Sequence, residues 1–238
     1  MIPAITTEQM REVDRAMIED FGIELIQMME NAGRALALLA RKRLGGSATG
    51  RRVLVLAGKG NNGGGGLVAA RRLATWGADL TVILTDAPES FKGVPAHQLK
   101  ILQAMELPIH VAPLDALPPT DIVLDALIGY GLRGAPREPY ATLIRQTNAS
   151  GVPIVALDTP SGLDTTSGQA LDPAIRADAT LTLALPKTGL FTDRARAVVG
   201  ELFLADISVP PLLYQRMGLR VGLLFDEHDV IRVDTERA

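Results

Sequence analysis

Short aliphatic runs recurring along the chain, each followed by turn or helical residues, constrain the fold more than any other feature. They occupy residues 53–57, 80–84, 121–124, 154–157, 179–184 and 201–205, with a shorter run at 109–111. Such unbroken runs suit strands covered on both faces, and that burial is characteristic of parallel sheets. Segments 67–76, 95–105 and 140–149 carry helical spacing between the runs. Alternation of strand and helix implies right-handed crossovers. The expected fold is therefore a layered α/β domain with a mostly parallel central sheet. Only 4% of residues are aromatic against 47% hydrophobic, so its core must be aliphatic.

Two helices precede the first strand. Thr6 or Thr7 caps the first, with Glu8 or Gln9 placed for a capping box, and Met10, Val13, Met17 and Ile18 follow at helical spacing. After Gly22 the second carries Leu25, Met28, Met29, Ala32, Leu36 and Leu39. Its methionines suit adaptable packing, with a dimer contact or substrate lid as the alternative. The chain reads as one domain over 1–238: N-terminal helices at 6–45, an α/β core at 51–210, and a weakly patterned tail at 211–238.

A net charge of −3 does not advertise nucleic acid or an anionic membrane as partner. The absence of cysteine removes disulfides, thiolate metal sites and cysteine nucleophiles. The opening residues have neither the basic segment nor the apolar stretch of a signal peptide, and no run approaches a bilayer span, so a cytoplasmic protein is expected.

The segment 58–66, Gly-Lys-Gly-Asn-Asn-Gly-Gly-Gly-Gly, lies between strand and helix. A glycine loop there brings backbone N–H groups and the helix dipole close to phosphate. Gly58, Gly60 and Gly63 also satisfy the dinucleotide fingerprint, with Asp86 placed as a ribose-binding acid. Asn61 and Asn62 add amides that a phosphate loop does not need, and Gly64, Gly65 and Gly66 leave room for a bulky group. Asp125 and Asp158 end two aliphatic runs, so both should meet the glycine loop in one crevice beyond the C-terminal sheet edge. Gly129, Gly131 and Gly134 permit close backbone approach after Asp125, and Arg133 suits phosphate. After Asp158, Pro160 and Gly162 fix a turn that presents Ser161. Asn62, Asp125 and Ser161 offer oxygen ligands only, and their low charge favours a monovalent cation over Mg²⁺, Ca²⁺ or zinc. His97, His110 and His228 fall away from these loops.

Together these motifs resemble the YjeF N-terminal domain family, which includes NAD(P)H-hydrate epimerases. Besides 58–64, 125–134 and 158–164, the matching pieces are 7–14, 28–34 and Leu-Pro-Lys-Thr-Gly at 185–189; the likeness runs from about residue 5 to 210. The resemblance implies a Rossmann-like three-layer α/β/α sandwich, epimerisation of the R and S forms of hydrated NADH or NADPH, a bound potassium ion, often a homodimer, and functional coupling to a separate dehydratase. Carried over by position, Asn62, Asp125 and Ser161 would hold K⁺. Asn61, Asn62, Gly63, Gly64 and Gly65 would contact the nucleotide, as would Gly129, Tyr130, Gly131, Leu132, Arg133, Gly134 and Ala135, together with Asp158 and Tyr140. Asp158 is the expected catalytic carboxylate. Gly65 stands where the family pattern has aspartate, so the alternative is a non-catalytic nucleotide-binding or scaffold protein of the same fold. A conventional NAD-dependent oxidoreductase would leave the segment 158–162 unexplained.

Overall fold

The computed structural model describes residues 2–234; residues 235–238 of the tail, like Met1, lie outside the described residues. Helices α1 (Thr7–Glu19) and α2 (Leu25–Arg43) lead the chain. Thr6 caps α1 in a reciprocal box, its hydroxyl accepting from the Gln9 amide at 3.1 Å while its own N–H reaches the Gln9 side chain at 2.9 Å. The basic residues Arg41, Lys42 and Arg43 end α2, where they oppose the negative end of the helix dipole.

Strand β1 (Arg52–Ala57), helix α3 (Asn61–Thr75) and strand β2 (Asp79–Leu84) follow, then α4 (Gly93–Ala104) and β3 (Ile109–Val111). The second half comprises β4 (Ile122–Ala126), α5 (Tyr140–Ala149), β5 (Ile154–Leu157), β6 (Ala179–Leu183), α6 (Arg196–Val199), β7 (Glu201–Ala205), α7 (Pro211–Arg216) and β8 (Val230–Arg232). The strands form one sheet in the order β3-β2-β1-β4-β5-β6-β7-β8. Every neighbouring pair is parallel except β7 and β8.

Alternation along β1 shows why the sheet has two covered faces. Val53, Val55 and Ala57 join the core built with α1, α2, α3 and α4, whereas Leu54 and Leu56 join the core built with α5. A third cluster packs Leu202 and Leu204 of β7 against Val198 and Val199 of α6. The expected three-layer sandwich is thus observed.

Four sequence expectations need correction. The glycine segment is loop only through Gly60, and 61–66 form the first turns of α3 rather than preceding a helix at Leu67. Glycine costs about 1 kcal/mol in a helix interior, and close packing against neighbouring elements offsets that cost here. The room expected beside Gly64, Gly65 and Gly66 is filled by Val94 and Pro95, by Leu157, and by Ala126 and Val55 respectively. Asp125 sits within β4, with Ala126 still paired to Ala57, rather than beyond the strand's end. The tail after Pro210 is also more ordered than its pattern suggests, since it supplies α7 and the antiparallel edge strand β8.

Candidate functional site

The sheet changes direction between β1 and β4: β2 lies on the far side of β1, and β5 on the far side of β4. Loops leaving these two strands diverge there and open a crevice. A cavity of about 750 Å³ occupies it. That lies within the range of ~300–1,000 Å³ typical of small-molecule pockets. Its floor includes Gly60, Asn61 and Asn62 at the start of α3, and the β4–α5 loop from Leu127 to Glu138 forms one wall. Met10, Arg11 and Asp14 of α1 and Leu25 and Met29 of α2 form another.

Asp158, Tyr140 and all of Gly129, Tyr130, Gly131, Leu132, Arg133, Gly134 and Ala135 line this cavity, as do Asn61 and Asn62. Gly63, Gly64 and Gly65 do not. They sit buried in α3, and a Cβ on Gly65 would lie 2.8 Å from Leu157 Cδ2, with Met29 Sδ and Ala32 Cβ beyond. The position that carries aspartate in the family pattern therefore faces apolar side chains in this chain, not the cavity. A Gly65→Asp variant is expected to change turnover by less than about threefold and to melt earlier, because its carboxylate is desolvated without a partner. Paired rate and melting measurements would check this, and a tenfold acceleration would mean that the missing acid does limit the chain.

Asp125 and Ser161 form a buried knot beneath the cavity. The Asp125 carboxylate accepts from the Ser161 amide at 2.8 Å, from its hydroxyl at 2.6 Å and from the Leu127 amide at 3.2 Å. Burial nevertheless pushes the Asp125 carboxyl up to about 6, against the lowering effect of the Ser161 and Leu127 hydrogen bonds. Ser161 Oγ in turn accepts from the Ile128 amide at 2.9 Å. Asn62 Nδ2 is buried with no hydrogen-bond partner among the described residues. Gly129 lets Asn62 approach: a Cβ there would stand 3.3 Å from Asn62 Oδ1 and 3.0 Å from Asp158 Oδ2. The Asp125 carboxylate, which has no cationic partner among the described residues, the Ser161 hydroxyl and the side-chain carbonyl oxygen of Asn62 make an all-oxygen donor set whose chemistry fits a monovalent cation. Among the described residues, no three of His, Cys, Asp or Glu gather as a transition-metal site would require.

Asp158 follows β5 with φ of +67°, a left-handed conformation that aims its side chain away from the strand path. Oδ2 accepts from the Tyr130 amide at 2.9 Å. Oδ1 pairs at 2.5 Å with the ammonium of Lys187, a residue with no exposed surface. Tyr130 is itself tied to α1, its hydroxyl donating to Asp14 Oδ2 at 2.5 Å. Burial and the Asp14 carboxylate hold that phenol well above its usual range, while burial raises the Asp14 carboxyl despite the opposing Tyr130 bond. Tyr140 reaches Thr85 Oγ1 at 3.2 Å, and Thr85 donates to Asp86, which pairs with Lys59.

Sequence reasoning missed Lys187 and Asp14 as site residues. Lys187 lay in the motif 185–189, but its contact with Asp158 spans 29 residues and depends on β6 returning beside β5. Asp14 had no signal beyond its place in the opening segment.

Fold and site define this chain as a Rossmann-like α/β protein with a ligand crevice at the switch point of its sheet. Comparison with known proteins narrows the class. The family described as YjeF-related protein N-terminus matches residues 25–189, and the chain belongs to it. It is 47% identical over 223 residues to an NAD(P)H-hydrate epimerase of Dehalogenimonas lykanthroporepellens, covering 92% of this chain and 87% of the relative. An NAD(P)H-hydrate epimerase of Rhodopirellula baltica is 37% identical, with 92% and 89% covered. Against a bifunctional NAD(P)H-hydrate repair enzyme of Hyperthermus butylicus the chain is 41% identical over 87% of its length but spans only 39% of that relative. The crystal structure of the yeast protein ynu0 superimposes with a TM-score of 0.83 at 22% identity, covering 98% of this chain and all of the other, which shows the shared fold.

Proposed function

We propose that this protein is an isomerase that interconverts the R and S forms of hydrated NADH and NADPH. The observation that carries this reading is the placement of Asp158: a nearly buried carboxylate, fixed through both oxygens, at the wall of a nucleotide-sized crevice. The two relatives named NAD(P)H-hydrate epimerase, which this chain matches over most of their length, support it.

In such a substrate a hydroxyl sits on C6 of the reduced nicotinamide ring. Inversion breaks that C–O bond as the ring-nitrogen lone pair moves in to form an iminium, and a proton supplied to the hydroxyl lets it leave as water. Water then adds to C6 from the other face and returns one proton, so the net change is stereochemical. Asp158 is the group placed to exchange that proton and to offset the positive charge of the intermediate electrostatically. The backbone N–H groups opening α3, at Asn61 and Asn62, and the Arg133 guanidinium suit phosphate oxygens. Tyr130 packs beside Asp158 and can limit water access to the ring.

Potassium belongs to the same reading, with Asn62, Asp125 and Ser161 as its ligands. It would supply fixed positive charge that holds the Gly129–Ala135 loop and Asp158 in register. The chain is taken to work as a homodimer, an expectation from the resemblance that sedimentation would test. A separate dehydratase would consume the epimer, as the bifunctional repair enzymes among the relatives suggest. The non-catalytic alternative rests on Gly65, which does not reach the cavity.

The test is epimerisation of purified R-NAD(P)HX followed by chiral chromatography, in potassium and with potassium replaced by tetramethylammonium. Turnover above the spontaneous rate is expected in potassium, falling about tenfold or more without it as the buried Asp125 loses its counter-charge. Rates equal in both salts would remove potassium from the site.

A further inference from the structure

Lys187 is an expensive residue for a fold to bury. Its ammonium has no exposed surface, yet all three of its protons are matched: Asp158 Oδ1 at 2.5 Å, Leu183 O at 3.0 Å and Thr182 Oγ1 at 3.3 Å. The face of the Tyr130 ring lies 5.9 Å from Nζ. Its backbone is pinned as well, because Ile5 forms a bridge to Lys187, with hydrogen bonds to Pro186 O and from Thr188 N at 2.9 Å each. Buried ion pairs contribute little to stability compared with apolar packing, so structural economy does not explain this one.

The structure assigns Lys187 the role of a positioning residue that sets the orientation of Asp158 for proton exchange at C6. The ammonium fixes Oδ1 while the Tyr130 amide fixes Oδ2, so the carboxylate cannot rotate about its terminal bond. Lys187 does not line the cavity and acts through Asp158 alone. Residues before the first strand complete the brace, since Ile5 holds the Lys187 backbone and Asp14 holds the Tyr130 hydroxyl.

The proposal rests on the epimerase reading, and a double-mutant cycle separates the two. Rates of wild type, Lys187→Met, Asp158→Asn and the double variant are measured per folded site, with folded sites counted by NADP⁺ binding and near-UV circular dichroism. Lys187→Met is expected to lose kcat by about 100-fold with KM changed less than threefold, because only the reacting geometry is disturbed. Adding Lys187→Met to Asp158→Asn should cost nothing further, since the lysine would have no carboxylate to position. If Lys187→Met does not fold, Thr182→Val tests the same hold with an isosteric change; kcat about fivefold lower at unchanged KM is expected. Normal kcat per folded site in Lys187→Met or Thr182→Val, or additive losses in the double variant, would overturn the proposal while leaving the epimerase intact. A wild-type chain that does not exceed the spontaneous rate would instead overturn the functional reading, and this inference with it.

Discussion

Replacing Asp158 with asparagine is expected to reduce epimerisation on the order of 10³-fold, leaving a residual rate still measurable above the spontaneous one, while nucleotide binding survives in the folded fraction. Asparagine preserves the shape and an acceptor for the Tyr130 amide, but it neither exchanges a proton at neutral pH nor balances a cationic ring. The same substitution strips the buried Lys187 ammonium of its carboxylate partner among the described residues. Breaking a buried pair from one side costs about 3–5 kcal/mol, so a lowered melting temperature should accompany the lost activity. Stability and turnover must therefore be read on the same sample. A folded Asp158→Asn variant with turnover within about tenfold of wild type would remove Asp158 from the chemistry.

The second large effect concerns folding and requires no substrate. Gly63→Ala is expected to destabilise the protein by about 4 kcal/mol or more, an exceptional value for a single methyl group. A Cβ at Gly63 would stand 1.7 Å from the carbonyl oxygen of Gly58, and Gly58 cannot retreat, since its own Cβ position is 2.0 Å from Leu127 O. All the opposing atoms are backbone, in the two loops that form the crevice, so no side-chain rotation relieves the clash. The drop in melting temperature should be about 10 °C or more for a domain of this size. Differential scanning calorimetry would measure it, and a shift of under about 3 °C would show that these loops yield more easily than their close contacts imply. Gly65→Ala offers the internal control. Its nearest obstacle is the end of the Leu157 side chain, which can move.

Much of the scaffold is legible in the order of residues alone. The segments 154–157 and 201–205 coincide with their strands, because a largely aliphatic run bounded by turn residues has few other ways to hide its surface, and 140–149 coincides with its helix through its helical spacing. The capping box at Thr6 is legible for a similarly local reason. The start of α3 is not. Glycine's low helix propensity argues for a loop through Gly66, whereas contacts from α2, α4, β4 and β5 fill the space beside those glycines and hold them helical. Propensity is local, and here packing against neighbouring elements, Val55 of β1 among them, outweighs it.

The site divides in the same way. Asp125, Asp158 and Ser161 stand out because polar residues at aliphatic strand ends need a reason, and the parallel sheet obliges them to share one edge. Their partners are hidden. Lys187 meets Asp158 only because β6 lies beside β5, and Asp14 meets Tyr130 across 116 residues because α1 folds over the crevice. The sequence by itself determined the core strands, most of the helices between them, their mostly parallel arrangement and the carboxylates at the crevice, since these follow from near-neighbour patterns of burial and turn chemistry. Only the tertiary structure decided what each carboxylate touches and that the position of Gly65 faces the core. Such contacts depend on distances across the fold, which no local pattern encodes.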